Sequence, residues 1–112
     1  MKLGQITTAR ASAFLTRSQA VPAAYRDRVI EVTRVSVMPR YRRKGHASEL
    51  MRVICGMADR AAQVLLLSVE PRGEGGLDAD GLRAWYERRG FEVIQEGPLL
   101  MARPPATEKE QT

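Results

Sequence analysis

Four basic residues and a glycine cluster near the middle of the chain, at Arg40, Arg42, Arg43, Lys44 and Gly45. They follow a β-branched stretch and precede an amphipathic one, so we expect a strand to end and a helix to begin on either side of them. A helix start carries unpaired backbone N–H groups and partial positive charge, and glycine lets that backbone approach a ligand closely. The pattern therefore predicts a phosphate or pyrophosphate site, although a single glycine matches neither a Walker A loop nor a GxGxxG fingerprint.

Other groups that carry chemistry are few. Cys55 is the only cysteine, so no internal disulfide can form, which agrees with the reducing cytoplasm that we expect for this chain. Because it lies between Ile54 and Gly56 in a predicted helix and has no histidine partner, Cys55 is interpreted as a small packed residue. His46, the only histidine, is interpreted as a solvent-facing loop residue. No group of Cys, His or carboxylates has the spacing of a metal site.

The composition is that of one globular domain. Apolar runs such as Val64 to Leu67 are far shorter than the roughly 20 residues that cross a bilayer, so no membrane partner is expected. We assign residues 1–103 to a single domain and the polar residues 104–112 to a disordered tail. The net charge of +5 favours an anionic partner, which nucleic acid, a phosphorylated cofactor or an acidic protein surface would each satisfy.

Strands and helices alternate along the chain after a start that is hard to interpret. The first 28 residues could hold a short strand around Leu3 and Ile6 and a helix in the Ala-rich stretch 9–20. Val29 to Val37 is rich in β-branched residues and predicts a strand. From Ala47, apolar steps of three and four predict a helix. Its buried stripe consists of Ala47, Leu50, Met51, Ile54, Met57, Ala58 and Ala61.

The second half continues the alternation. Val64 to Glu70 is apolar on both faces, which is typical of a central strand. A second helix is predicted before Gly90, which is placed to end it in a left-handed turn. The segments FEVIQ and LLMAR, on either side of Gly97-Pro98, predict a closing hairpin. This order indicates an α/β layer to which the hairpin adds antiparallel strands. The face of the second helix consists of Leu82, Trp85, Tyr86 and Arg89.

Two segments resemble one known family. RRKGHA, from Arg42 to Ala47, is similar to the coenzyme A signature of the GNAT superfamily, the Gcn5-related N-acetyltransferases. That signature is Gln or Arg, two variable residues, Gly, one variable residue, then Gly or Ala. LRAWYERRGF, from Leu82 to Phe91, resembles the later helix of the family, in which a Leu-Tyr pair precedes Gly-Phe by three residues. Its WY and GF pairs take those positions.

The resemblance covers residues 29–103, the cofactor core, and implies both fold and activity. The fold would be mixed α/β (α+β), with a mostly antiparallel central sheet, a helix at the cofactor loop and helices on both faces. The activity would be transfer of acetyl from acetyl-CoA to a primary amine of a small molecule or protein, by direct attack in a ternary complex. The residues implied to bind the cofactor are Val35, Ser36, Val37, Arg42, Arg43, Lys44, Gly45, His46, Ala47 and Ser48.

Two side chains are candidates for proton transfer. The resemblance places Tyr86 as the general acid, and a phenol suits that role because its ordinary pKa, about 10, is close to that of a departing thiol. Glu31 is the candidate base, since some histone-acetylating relatives place their catalytic glutamate at the same offset before the signature. In a regular strand Glu31 would share a face with Val35 and Val37. An ordered water as the base, and a purely packed Tyr86, remain alternatives.

The chain departs from the family pattern in two places. Ala79 stands where many relatives carry an asparagine, and only 28 residues precede Val29, where relatives have about three strands and two helices. An uncovered edge or apolar face would favour a homodimer.

Two other functions stay open: a basic module that binds nucleic acid, and a degenerate relative that binds coenzyme A for regulation without catalysis. For Glu31, an ion pair with Arg34 or Arg28 is the structural alternative.

Overall fold

The computed structural model describes residues 3–8, 11–18, 21–37, 46–69 and 79–106. These residues form one six-stranded sheet in the order β1-β2-β3-β4-β6-β5, in which β3 and β4 are parallel and every other pair is antiparallel. The mixed, mostly antiparallel fold predicted from the sequence is therefore confirmed. The elements are β1 Gly4–Thr7, β2 Ala11–Arg17, β3 Val29–Val37, α1 His46–Arg60, β4 Val64–Ser68, α2 Ala79–Glu87, β5 Glu92–Gln95 and β6 Leu100–Arg103, with a 3₁₀ helix at Ala23–Arg28.

The prediction of a helix in the Ala-rich stretch 9–20 is wrong, because residues 11–17 form strand β2. Ala11, Ala13 and Leu15 are buried while the residues between them are more exposed. This is the period-two pattern of a strand with one face in the core. Alanine has high intrinsic helix propensity, but pairing with β1 and β3 outweighs that local preference.

The core lies between the sheet and α1. The predicted stripe of this helix is confirmed, since Leu50, Met51, Ile54 and Ala58 have no exposed surface. Helix α1 packs on β2, β3 and β4. The central strand is also confirmed, with three successive buried leucines at positions 65–67. Among the described residues, the core between the sheet and α1 is the main source of hydrophobic stabilisation.

One detail of the predicted fold is corrected. Within the described part of the chain, α1 and α2 lie on the same face of the sheet rather than on both faces. Tyr86 of α2 and Phe91 after it belong to the same buried cluster as Leu50 of α1. We call this side the helix face, and we call the other side, which carries Phe14, Thr16 and Glu31, the second face.

The two ends of the sheet and the C-terminal segment complete the fold. β1 and β5 are its edge strands, and the homodimer suggested by such edges stays a prediction. Residues 104–106, assigned above to the tail, are described: Pro105 is buried and the Ala106 amide donates to Asp59 Oδ1 at 2.8 Å. None of the helices in the described ranges has the length and apolarity that a bilayer crossing requires.

Candidate active site

An opening in the sheet separates the carboxyl halves of β3 and β4. The two strands pair from Val29 with Val64 to Glu31 with Leu66, and the register ends there although β3 continues to Val37. Beyond this point β3 keeps β2 as its partner, while the Val69 amide bonds to the Leu99 carbonyl on the far side. Backbone groups of β3 therefore border a gap that an extended ligand could enter as a strand would.

A β-bulge in β3 decides which side chains share a face. Phe14 pairs with Thr33, but Ser12 pairs with Ser36, so β3 has one more residue than β2 between these pairs. The bulge includes Arg34, whose φ is 52°. An inserted residue reverses the alternation of side chains beyond it.

The face expected to be shared by Glu31 and Val35 is therefore not shared, and that prediction is wrong, while the side chain of Val37 lies outside the described residues. Glu31 pairs with Thr16 and Val37 pairs with Ala11, and these two β2 residues lie on opposite faces because five positions separate them. Val35 packs against the core on the helix face. Glu31 thus lies at the closed end of the opening on the second face.

The contacts of Glu31 differ from the ion pairs weighed above. Its Oε1 accepts a hydrogen bond of 3.1 Å from the hydroxyl of Ser18, a buried polar residue that follows β2. The Arg34 guanidinium instead lies over the Phe14 ring, 5.4 Å from its centroid. A carboxylate with one oxygen held by a buried hydroxyl has a defined orientation at the edge of the opening.

Helix α1 packs on the helix face against β2, β3 and β4. The helix begins at His46, and Ala47 and Ser48 follow as half-buried residues. Arg42, Arg43, Lys44 and Gly45 lie outside the described residues, as do the side chains of Ser36, Val37 and His46. The roles predicted for them stay predictions.

Arg89 is a site residue that the sequence analysis missed. Its Nη2 donates to the Ser48 hydroxyl at 2.7 Å, and its Nη1 donates to the Trp85 carbonyl at 2.7 Å. The guanidinium also stacks on the Trp85 ring, 3.6 Å from the centroid. Partial burial, and secondarily the neighbouring Arg88, lower the pKa of Arg89 from its ordinary value. The sequence placed Arg89 on the same helical face as Trp85 but carried no signal for contact with a residue 41 positions away.

A second arginine, Arg103, fixes the position of the turn after α2 that contains Arg89. Arg103 donates from Nε to the Arg89 carbonyl at 2.9 Å, and its two terminal nitrogens bind the two oxygens of Asp59 at 2.8 and 3.1 Å. The hydrogen bond from Arg103 is the main cause that lowers the pKa of Asp59, with a smaller contribution from the Ala106 amide. This bidentate pair ties β6 and the turn after α2 to the last turns of α1.

Tyr86 lies in the core beside the same segment. Its ring makes edge contacts with Trp85 and Phe91, with centroids 5.0 and 5.4 Å away, and only 9% of the residue is exposed. The Tyr86 carbonyl accepts hydrogen bonds from the amides of Arg89 and Phe91, which closes the end of α2. Gly90 has φ 93°, as the predicted left-handed turn requires. Both the packed role and the proposed catalytic role agree with this location.

The interpretation of Cys55 as a small packed residue agrees with its burial. Cys55 is 9% exposed, and burial is the main cause that raises the pKa of its thiol. A protonated, buried thiol is a poor nucleophile. Within the ranges that the structure describes, no three His, Cys, Asp or Glu side chains are grouped as a metal site.

The comparisons with known proteins identify the family. Residues 7–93 match the model of the acetyltransferase (GNAT) domain. The chain belongs to the GNAT family. The matched region contains both motifs quoted above, so the resemblance to this superfamily is confirmed. A sequence search of curated proteins finds no match.

Three solved structures illustrate the proteins that share this fold. The anti-CRISPR protein AcrVA5 is 15% identical, with a TM-score of 0.66 over 90% of this chain and 98% of its own. The ribosomal-protein-S18-alanine N-acetyltransferase of Escherichia coli is 20% identical, with a TM-score of 0.63 over 89% of this chain and 66% of its own. An aminoglycoside 6′-N-acetyltransferase complexed with coenzyme A is 8% identical, with a TM-score of 0.62 over 89% of this chain and 70% of its own. At these identities the likeness establishes the fold.

Proposed function

We propose that this protein is an acetyl-CoA-dependent N-acetyltransferase in which the amine attacks the thioester directly. The observation that carries the proposal is the opening between β3 and β4, where the β3 backbone beyond Glu31 has no β4 partner among the described residues, in the sheet on which α1 packs. Family membership and a structural neighbour solved with coenzyme A support a coenzyme A thioester as the donor. We propose the acetyl ester because the signature and the family name indicate acetyl transfer.

The donor is proposed to bind from the helix face. Its pyrophosphate would meet the residues from Arg42 to Ala47, where the basic side chains and the start of α1 both favour an anion. The pantetheine arm would then extend along the backbone of residues 35–37, and the amide near Val37 would bind the thioester oxygen. A preorganised N–H at that point stabilises the oxyanion that forms during attack.

The acceptor is proposed to approach from the second face. Both described α-helices cover the helix face, so the reacting carbonyl in the opening is reached more directly from the opposite side. Glu31 lies on that side at the closed end of the opening. We propose that it removes the proton of the ammonium, either directly or through one water, so that the free amine can attack.

Tyr86 is proposed to donate the proton that the departing thiolate needs. It is placed in the turn-forming end of α2, on the helix face from which the donor would enter. Attack forms the amide C–N bond, the C–S bond breaks, and the Tyr86 hydroxyl supplies a proton to sulfur. The nitrogen loses its second proton to solvent, and solvent returns a proton to the Tyr86 phenolate. No covalent enzyme intermediate is required, which agrees with the buried state of Cys55.

The test is release of free coenzyme A from acetyl-CoA across a panel of amines: polyamines, aminoglycosides, amino acids, and peptides with a free N-terminus or a lysine. We expect turnover with at least one class, and a fall in kcat of roughly 10²-fold in Tyr86→Phe. Phenylalanine keeps the ring contacts, so the variant should unfold at the same temperature as wild type.

Gly45→Trp supplies the control for the donor site, since a bulky side chain in the signature should abolish acetyl-CoA binding. Tight binding of acetyl-CoA without turnover on any amine would contradict catalysis and favour a regulatory module. Unchanged affinity in Gly45→Trp would contradict the donor site itself.

A further inference from the structure

The second face carries an exposed arginine at the point where β3 bulges. Arg34 has φ 52° and an exposed side chain whose guanidinium lies over the ring of Phe14, 5.4 Å from the centroid. Phe14 pairs with Thr33 and is half-buried on the second face. The ring therefore restricts the guanidinium to a region above β2 and β3.

Arginine is an unfavourable choice for the backbone at this position. A left-handed φ strains any residue that has a Cβ, whereas glycine and asparagine adopt it readily. Local backbone strain is retained at functional sites when the side chain or the geometry is needed there. The backbone conformation at the bulge therefore does not explain why this residue is an arginine, whereas a role for its side chain does.

Arg34 lies close to Glu31, on the side of the opening from which the acceptor is proposed to approach. It follows Glu31 by three positions on the same strand, so their Cα atoms are at most about 10 Å apart. Glu31 and the Phe14 ring, on which Arg34 rests, lie on the same face. An acceptor whose amine reached Glu31 would therefore place its neighbouring groups beside a fixed positive charge.

We propose that Arg34 selects acceptors in which acidic groups flank the amine, such as a lysine between acidic residues. This inference rests on the proposed function, because it assumes that an amine is acetylated at the opening. The attraction acts between partly exposed charges, so we expect a discrimination of about fivefold that weakens as salt is added. The net charge of +5 acts in the same direction at longer range.

The experiment is a competition among three lysine peptides in one reaction, with the lysine flanked by two aspartates, two alanines or two arginines. Acetylated products are counted by mass spectrometry in the presence of acetyl-CoA. We expect wild type to prefer the acidic over the basic peptide about fivefold, Arg34→Gln to remove most of that preference, and Arg34→Glu to reverse it. Arg52→Gln is the matched control, since it removes an exposed charge from α1 and should keep the wild-type ratio.

Arg34→Gly separates selectivity from stability. It relieves the left-handed backbone, so it should unfold at the wild-type temperature or higher while losing the acidic preference. Equal product ratios in wild type, Arg34→Gln and Arg34→Glu would overturn the inference while leaving the proposed function intact. Acetylation of none of the peptides, together with no turnover on any other amine, would overturn the proposed function and this inference with it.

Discussion

The guanidinium of Arg89 donates a hydrogen bond of 2.7 Å to the hydroxyl of Ser48, which joins the end of α2 to the first turn of α1. A cation beside a helix start is unfavourable, because the helix dipole is positive at that end. An anion bound there would be stabilised by both charges. The hydrogen bond thus brings a charged group of the second motif to the helix that follows the first.

Replacing Arg89 with glutamine should weaken acetyl-CoA binding. A partly buried charge that acts on a phosphate contributes about 1.5–3 kcal/mol, so we expect Kd to rise by roughly tenfold or more. Isothermal titration with acetyl-CoA measures the change, and a thermal melt verifies that the variant is folded. Arg88→Gln, which removes the exposed neighbouring charge, should bind within about twofold of wild type. Equal affinities of the two variants would argue that Arg89 has a packing role alone.

Replacing Glu31 with glutamine should lower kcat and leave acetyl-CoA binding unchanged. The loss of a general base costs typically 10²- to 10⁴-fold, so we expect a fall of about 10²-fold or more. Raising the pH should restore part of the rate, because more of the acceptor amine is then unprotonated in solution. Steady-state kinetics at pH 7 and 9 measure both effects, with Glu96→Gln in the β5–β6 turn as the control. A variant with full activity at pH 7 would assign the proton transfer to water.

The ionisation of Asp59 should make the free energy of unfolding depend on pH in the acidic range. Its pKa is lowered in the folded state, chiefly by the hydrogen bond from Arg103, so its contribution is present above the unfolded pKa of about 3.9 and is lost as the pH falls through the folded value. We expect Asp59→Asn to lower the free energy of unfolding at pH 7 by about 1–3 kcal/mol. Urea unfolding at pH 7, 5 and 3 measures it, and the difference from wild type should shrink at pH 3.

The control for that experiment is Asp27→Asn, at an exposed aspartate of the 3₁₀ helix. It should change stability by no more than about 0.5 kcal/mol. A difference for Asp59→Asn that stayed constant from pH 7 to pH 3 would contradict an ionised Asp59 paired with Arg103.

Cys55 should be dispensable and unreactive. Burial raises the pKa of its thiol, so the protein at neutral pH holds it protonated and shielded from reagents. We expect Cys55→Ala to keep kcat within about twofold, at a stability cost of roughly 1 kcal/mol. A thiol-reactive dye should label the native protein slowly and the urea-unfolded protein at once. Rapid labelling of the native protein would contradict a buried, protonated thiol, and a large loss of kcat in folded Cys55→Ala would contradict direct attack without an enzyme nucleophile.

The elements that the sequence predicts well are those with strong local patterns. The stripe of α1, the apolar β4 and the left-handed Gly90 each depend on residues that are near in sequence. Periodicity and conformational preference therefore suffice to predict them. The short strand predicted around Ile6 is confirmed by β1, whereas the helix predicted in residues 9–20 is wrong because alanines suit a helix locally. Only pairing with β1 and β3, which involves distant residues, makes residues 11–17 a strand.

The sequence by itself determined the family and the anion-binding character of the first motif, because a short pattern of residue types carries that information. Only the tertiary structure decided which side chains lie on each face of the sheet and which distant residues come into contact. The bulge at Arg34 puts Glu31 and Val35 on opposite faces, and packing brings Arg89 to Ser48. Neither relation follows from spacing along the chain, since a one-residue bulge reverses strand alternation and a contact across 41 residues depends on how whole elements pack.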